Sequence, residues 1–511
     1  MDNGYLLSID AGTGSIRAII FDLDGNQIGV SQREWTHISE EGVTNSMGFD
    51  ALNNWSLVVS CIKDVLAETK VSGENVLGIS ATSMREGIVL YDENKNELWG
   101  VANVDARSFA EVSELNSKYP YLEKEFYDIS GQTFALGSLP RLMWVKENRP
   151  EIYEKTEYIS MISDWVLARL SNVIATDPSN GGTSGIFSLS RRDWEPSMAS
   201  KVGIKDNIFP KVYESGEKIG GVTKEVAVIT GLKEATPVVM GGGDVQLGSA
   251  GLGVVNAGDV AILGGTFWQQ IVNMPNSETD PAMQIRINPH VITGMSQAEG
   301  ITFFSGMVMS WFKNNFYSAE SYEKMESDAS KIPVSSHGII PIFSDAMNYG
   351  RWIHAAPSFL NLPLDENIDV RASMLRSIQE NTAIVSNINL QRIAKFTGIK
   401  LQSITFAGGA SNSGLWAQIL ADVTGVKVRV PRVIEATALG AAFAAGVGAG
   451  IYESIADVAS KLVVFEKEYE PNIANYDVYK KQAEVWKKAY DAQMKLVDDG
   501  VTVPMWKAPG L

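Results

Sequence analysis

Five short segments carry the residue types that phosphate and hydroxyl chemistry needs. The first, Asp10-Ala11-Gly12-Thr13-Gly14-Ser15 with Arg17 just beyond, puts a carboxylate, glycines and hydroxyls into one turn. Backbone N–H groups of such a turn can converge on an anion, and the hydroxyls add donors. An aspartate at a strand end can hold Mg²⁺, usually through water. A plain hairpin that uses Asp and Gly for its geometry is the alternative. Gly264-Gly265-Thr266 repeats the glycine–hydroxyl pattern at mid-chain. Two such turns facing one another would clamp a polyphosphate from both sides.

Gly241-Gly242-Gly243-Asp244-Val245-Gln246 sets three glycines before a carboxylate at the end of an apolar strand. Ligands bind at such strand ends in α/β folds, and a carboxylate there can accept a hydroxyl proton as a phosphoryl group is transferred. The competing role for Asp244 is to cap the next helix. Met84-Arg85-Glu86 follows another strand, where an Arg–Glu pair could hold two vicinal hydroxyls or form a structural ion pair. Gly408-Gly409 with Asn412 would let an adenine ring lie against bare backbone, although Gly-Gly is also common in loops.

These segments need elements to hold them. Apolar strands are predicted over 5–9, 18–21 and 27–30 around glycine turns, an antiparallel meander rather than a strand-to-helix phosphate loop. A helix over 52–70 and a strand over 77–82 follow, and the alternation continues to about residue 250. The small-residue run 248–253 then leads to a second strand–turn–strand over 260–268, which suggests two related halves. Strand 403–407, a helix through Leu415, Ile419 and Val423, and strand 426–430 make a βαβ unit. Ala436, Gly440, Ala444 and Gly448 leave one helix face bare for close approach of another backbone. This helix and run 248–253 are expected to let the halves pivot. A last helix, with Tyr479, Trp486, Tyr490 and Met494 on one stripe, should pack on the body.

The 511 residues exceed one ordinary core, so two domains are expected, at 1–250 and 251–511. A net charge of −17 without a basic patch argues against nucleic acid. Cys61 is the lone cysteine, and no apolar segment approaches 18 residues. A reducing, cytoplasmic setting is therefore expected, with no membrane span. His37, His290, His337 and His354 show no metal-site spacing.

Taken together, the five segments occur in the order and spacing of the FGGY carbohydrate kinases, which the chain resembles along essentially its whole length. The runs SMREGIVL (83–90), NVDAR (103–107), MISDW (161–165), GGGDVQLG (241–248), LGGTFWQQ (263–270) and WKAPGL (506–511) add to it. They resemble most the branch of the family that acts on (S)-4,5-dihydroxypentane-2,3-dione, the open form of a quorum-sensing signal. The resemblance implies an α/β fold of two actin-like, ribonuclease-H-type domains with ATP and Mg²⁺ in the cleft between them. It implies transfer of the γ-phosphoryl group to the terminal hydroxyl of that compound. By the same resemblance Asp244 is the base, and Asp10 and Asp244 the Mg²⁺-associated carboxylates. Thr13, Gly14, Ser15, Arg17, Gly265 and Thr266 then serve the phosphates, and Gly408, Gly409 and Asn412 the nucleoside. Arg85, Glu86, Asp244 and Gln246 face the substrate. Some members are regulated by a phosphocarrier protein of sugar uptake, though no segment here marks such a surface. The chain departs from the general pattern at Pro140-Arg141 and over 343–348, which speaks against an ordinary pentulose or glycerol as substrate. A different short ketose or polyol is the near alternative, and a non-catalytic nucleotide sensor the distant one.

Overall fold

The computed structural model describes residues 4–343, 353–433 and 435–507. Most of the departure over 343–348, and the end of the 506–511 run, lie outside the described residues.

The meander predicted at the start is present, with longer strands. Tyr5–Ala11 pairs antiparallel with Ser15–Asp22, which pairs antiparallel with Gln27–Glu34. On the other side of Tyr5–Ala11 lie Val76–Ser83 and then Pro237–Gly243, both parallel to it, with Lys218–Gly221 antiparallel at the edge. The second sheet repeats this plan. Val260–Gly264, Trp268–Met274 and Ser296–Thr302 form the meander. Ser403–Ala407 and Lys427–Pro431 are the parallel strands, and Phe465–Tyr469 is the antiparallel edge. Arg286–Pro289 extends the far side. The short echo in sequence is thus a repeat of topology. Strands central to a parallel arrangement are covered on both faces, which is why successive residues such as Leu6 and Leu7, or Val238 and Val239, are fully buried.

The helix predicted over 52–70 runs Ala51–Thr69; the Asp50 side chain caps it at Asn53 N and Lys70 ends it in the left-handed conformation. The βαβ unit is present, with helix Gly414–Thr424 between parallel strands. The last helix, Ile473–Asp498, buries Tyr479, Trp486, Tyr490 and Met494 in the core of the second sheet. Residues 88–161 contribute a three-stranded sheet, Glu97–Val101, Ile88–Tyr91 and Tyr158–Met161, with a separate apolar core that includes Phe126, Leu142 and Ile159. Among the described residues no helix is long and apolar enough to cross a membrane.

The expected pivot is different in kind. Gly248 and Gly251 belong to a helix, Asp244–Gly251, that crosses helix Ala436–Gly448 at backbone contact. A Cβ on Gly440 would stand 1.9 Å from the Leu247 carbonyl oxygen, and one on Gly251 would stand 1.9 Å from that of Ala436. The same second-half helix also lies on the first sheet, where a Cβ on Gly78 would meet the Ala445 oxygen at 2.7 Å. Its alanines share a core with Leu6, Ile19 and Phe21. These small residues remove bulk so that two helices can touch, and the crossing is a tight joint, not a loose hinge. Replacing Gly440 with Ala is expected to destabilise the fold by about 1–3 kcal/mol or more through overpacking. Gly14→Ala, with nothing within 4 Å of the added carbon, is the control that should leave the denaturation midpoint nearly unchanged. Equal midpoints for the two variants would contradict this reading of the joint.

Candidate active site

Asp244 stands where strand Pro237–Gly243 gives way to helix Asp244–Gly251. The cap position belongs to Gly243, so Asp244 is not the helix cap. Among the described residues its Oδ1 accepts only the neighbouring Val245 N–H, at 2.8 Å, and it lies 3.6 Å from Arg85 Nε. About 40% of its side-chain surface remains exposed, although protein crowds the rest. That crowding pushes its carboxyl up to about 6; Arg85 works against the shift, and the Glu86 charge works with it. Asp10, at the end of the first strand, is pushed up to about 7 by burial, with Arg17 opposing and the negative charges of Asp244 and Glu435 adding to the rise. The charges of Asp244 and Glu435 are thus felt at Asp10, with Arg17 at 3.9 Å from Asp10 as a weak partner. Arg17 spends itself elsewhere: it donates to Glu435 Oε2 at 2.8 Å and to Gln32 at 3.1 Å.

Arg85 and Glu86 do not pair with each other. Arg85 forms a two-pronged pair with Glu299, at 2.7 and 2.9 Å, and Glu86 accepts from Arg286 at 2.5 Å. Both partners come from the second sheet. Glu86 has a φ of 67°, in the left-handed region, and its carbonyl oxygen accepts from Arg141. Burial works to raise the Glu299 carboxyl, but the charges of Arg85 and Arg286 and the Arg85 hydrogen bonds hold it below its usual range. Gln132 and Asn288 complete the network: Arg286 Nε donates to Gln132 at 2.6 Å, and Asn288 to Glu299 at 3.1 Å. The two side chains expected to face substrate are thus anchored across the halves, with only the flank of Arg85 reaching Asp244. Gln246 is fully buried under the first turn of its helix. Among the described residues neither end of its amide has a partner, and its Oε1 lies 2.9 Å from where a Cβ of Gly243 would stand.

Sequence reasoning missed Glu299, Arg286, Gln132, Asn288, Glu435 and Arg141 as parts of this wall. One signal was available: Gln297 and Glu299 lie inside a strand where apolar residues would be expected, and both are fully buried. Removing one partner of such a pair leaves a bare buried charge, at a cost of about 3–5 kcal/mol.

The glycine–hydroxyl turns have different surroundings. Thr13 and Gly14 are exposed in the first turn. Thr13 Oγ1 lies within 3.3 Å of the Asn103 amide, and the turn is fastened from behind by Trp35 Nε1 donating to the Gly12 oxygen at 3.0 Å. Gly265 and Thr266 line a cavity of about 700 Å³ that also takes in Gly409, Asn412, Met307, Met325, Leu375 and Trp416. Its walls are mostly apolar and its rim is glycine and hydroxyl, the make-up suited to a base and its phosphates. Gly408 packs against Gly264, the first residue of the second turn; its φ is 91°, and a Cβ there would lie 2.8 Å from the Gly264 oxygen. The structure therefore brings the second turn and the 408–412 segment to one cavity. Among the described residues no hydrogen bond joins Thr13 to Thr266.

Among the described residues no group of three or more His, Cys, Asp or Glu could hold a metal unaided. Asp10 and Asp244, two carboxylates with unspent charge, fit a divalent cation held mainly by water and phosphate oxygens, not a protein cage. A cation there would favour the charged form of both groups against the burial that raises them.

Comparison with known proteins bears on the same elements. The model for the FGGY family of carbohydrate kinases matches twice, as its N-terminal domain over residues 5–251 and as its C-terminal domain over 272–449. An autoinducer-2 kinase of Enterobacter sp. (strain 638) is 51% identical over 99% of this chain and 98% of its own length. One from Klebsiella pneumoniae subsp. pneumoniae is 50% identical over 99% and 97%. Among solved structures, a ligand-bound xylulose kinase from Lactobacillus acidophilus superposes with a TM-score of 0.87 at 18% identity, over 96% of this chain and 98% of that one. Plasmodium falciparum glycerol kinase with ADP gives 0.84 at 19%, over 96% and 98%. The expected two-domain kinase fold is therefore present, and the chain belongs to the FGGY family of carbohydrate kinases.

Proposed function

We propose that this chain transfers the γ-phosphoryl group of ATP to the terminal hydroxyl of (S)-4,5-dihydroxypentane-2,3-dione, the open form of the autoinducer-2 signal. The observation that carries the reaction is Asp244, a partly exposed carboxylate at a strand-to-helix junction, 3.6 Å from the Arg85 that pairs with the second half. The substrate rests on the name that the relatives at about half identity carry over their full length.

Phosphoryl transfer asks the protein for alignment and charge neutralisation rather than covalent work. Asp244 takes the hydroxyl proton as the oxygen closes on phosphorus, and a carboxyl raised to about 6 is a better base than an ordinary aspartate. Arg85, locked on Glu299, holds a fixed positive charge beside it. The Thr13, Gly14 and Ser15 donors receive the terminal phosphate from the first half, and Gly265 and Thr266 grip the chain of phosphates from the second. Gly408, Gly409 and Asn412 bound the nucleoside. Asp10 and Asp244 would hold Mg²⁺, which would supply charge neutralisation for the phosphates. Glu86, Gln246 and Arg17 act as supports in this scheme.

Asp244→Asn is expected to lower turnover about 10²–10⁴-fold in a folded enzyme, measured by coupled ADP release. Near-normal turnover would remove Asp244 from the base role. In the same assay, the dione should exceed xylulose, erythritol and glycerol in kcat/KM, and a preference for any of those three would reassign the substrate. A base must be unprotonated to work, so kcat/KM at low Mg²⁺ should rise as pH rises through about 6 and level off above it. Higher Mg²⁺ should move that limb to lower pH by favouring the charged carboxylates. A profile flat down to pH 5 would contradict the raised carboxyl.

A further inference from the structure

Behind the wall that carries Asp244 lies a buried polar network that the scheme above does not use. Asp164, Asp177, Ser179, Asn180 and Thr183 are all at most 1% exposed. Asp177 receives three donors: Ser179 N at 2.6 Å, Ser179 Oγ at 2.5 Å and Asn180 N at 3.2 Å. With its proton committed to Asp177, the Ser179 hydroxyl must turn a lone pair outward. That lone pair accepts the Gly243 N–H at 2.9 Å, one residue before Asp244. The glycine at 242 makes room for the arrangement, since a Cβ there would stand 2.5 Å from Ser179 Oγ and 3.2 Å from Asp177 Oδ2. Another arm reaches the Arg85 side: Thr183 Oγ1 donates to the Asn180 oxygen at 2.7 Å and accepts Glu86 N–H at 3.3 Å. Ser163 N donates to Ser83 Oγ at 2.9 Å, and Asn180 in turn donates to Ser163. One cluster therefore fastens the ends of both central parallel strands.

We propose that Asp177 and Ser179 are positioning residues for phosphoryl transfer: Asp177 orients the Ser179 hydroxyl, which fixes Gly243 and so aims the Asp244 carboxylate. The proposal rests on the reading of Asp244 as base. A buried carboxylate is costly unless donors surround it; burial pushes the Asp177 carboxyl up to about 7, and the three donors from Ser179 and Asn180 work against that rise. The tolerance is narrow, because a displacement of about 1 Å at a reacting group costs on the order of 10²-fold in rate.

Ser179→Ala and Asp177→Asn, each made alone and together with Asp244→Asn in the full chain, test the idea as double-mutant cycles. Ser179→Ala should lower kcat about 10–100-fold while both KM values stay within about 3-fold, the pattern of a misplaced reacting group. In the Asp244→Asn background the same change should cost less than about 2-fold, since the group it aims is already disabled. A folded Ser179→Ala enzyme with unchanged kcat overturns the proposal. So does an equal loss in both backgrounds, which would make Ser179 independent of Asp244. Should Ser179→Ala not fold, Asp177→Asn, which keeps the shape and one acceptor oxygen, takes its place in the cycle, and the same two results overturn the proposal. A disabled Asp244→Asn beside a normal Ser179→Ala removes this proposal alone. A near-normal Asp244→Asn removes the base reading, and the proposal with it.

Discussion

The buried charge pairing of Arg85 with Glu299, and of Glu86 with Arg286, is the constraint on which the site depends. Each pair takes one member from each half, and all four side chains are at most 10% exposed. Charges buried this way are tolerated only when both partners meet at good geometry, so the pairs permit one register between the halves. They also decide which charge stays free. With Arg85 held on both prongs by Glu299, it can offer Asp244 only a 3.6 Å approach, and Asp244 keeps a charge to use.

That arrangement bears on how the molecule could move. The helices Asp244–Gly251 and Ala436–Gly448 touch at backbone level, so sliding between them would drive Gly440 into the Leu247 carbonyl. Interiors packed this closely resist continuous deformation. The second turn, the helix Ser305–Phe316 beside it and the 408–412 segment are the parts that line the cavity.

Local patterns were readable in the sequence because local physics makes them. The meander at the start, the βαβ unit, the stripe on the last helix and the glycines before Asp244 all follow from spacing and backbone freedom within a few residues. The partners of Arg85 and Glu86 lie 214 and 200 positions away, and adjacency in sequence suggested instead that the two pair with each other. A φ of 67° at Glu86 turns the chain there, and no residue type announces that. Glycines at 248 and 251 read as flexibility for a related reason. Glycine permits both looseness and close contact, and only the helix that arrives from position 436 shows which one was used.

The repeated topology explains the asymmetry of the site. In each half the outer of the two parallel strands runs into a helix, and the two helices so placed are the ones that cross. Asp244 opens the first of them, and Glu435 stands immediately before the second. Duplication thus delivers two carboxylates to related places, with Asp10 near enough to be raised by both. Their fates differ through their arginines. Arg17 reaches Glu435 at 2.8 Å and neutralises it, whereas the arginine beside Asp244 is already claimed by Glu299. A base must keep its charge unspent, so within this pair of related positions Asp244, and not Glu435, is the carboxylate suited to the base role proposed above.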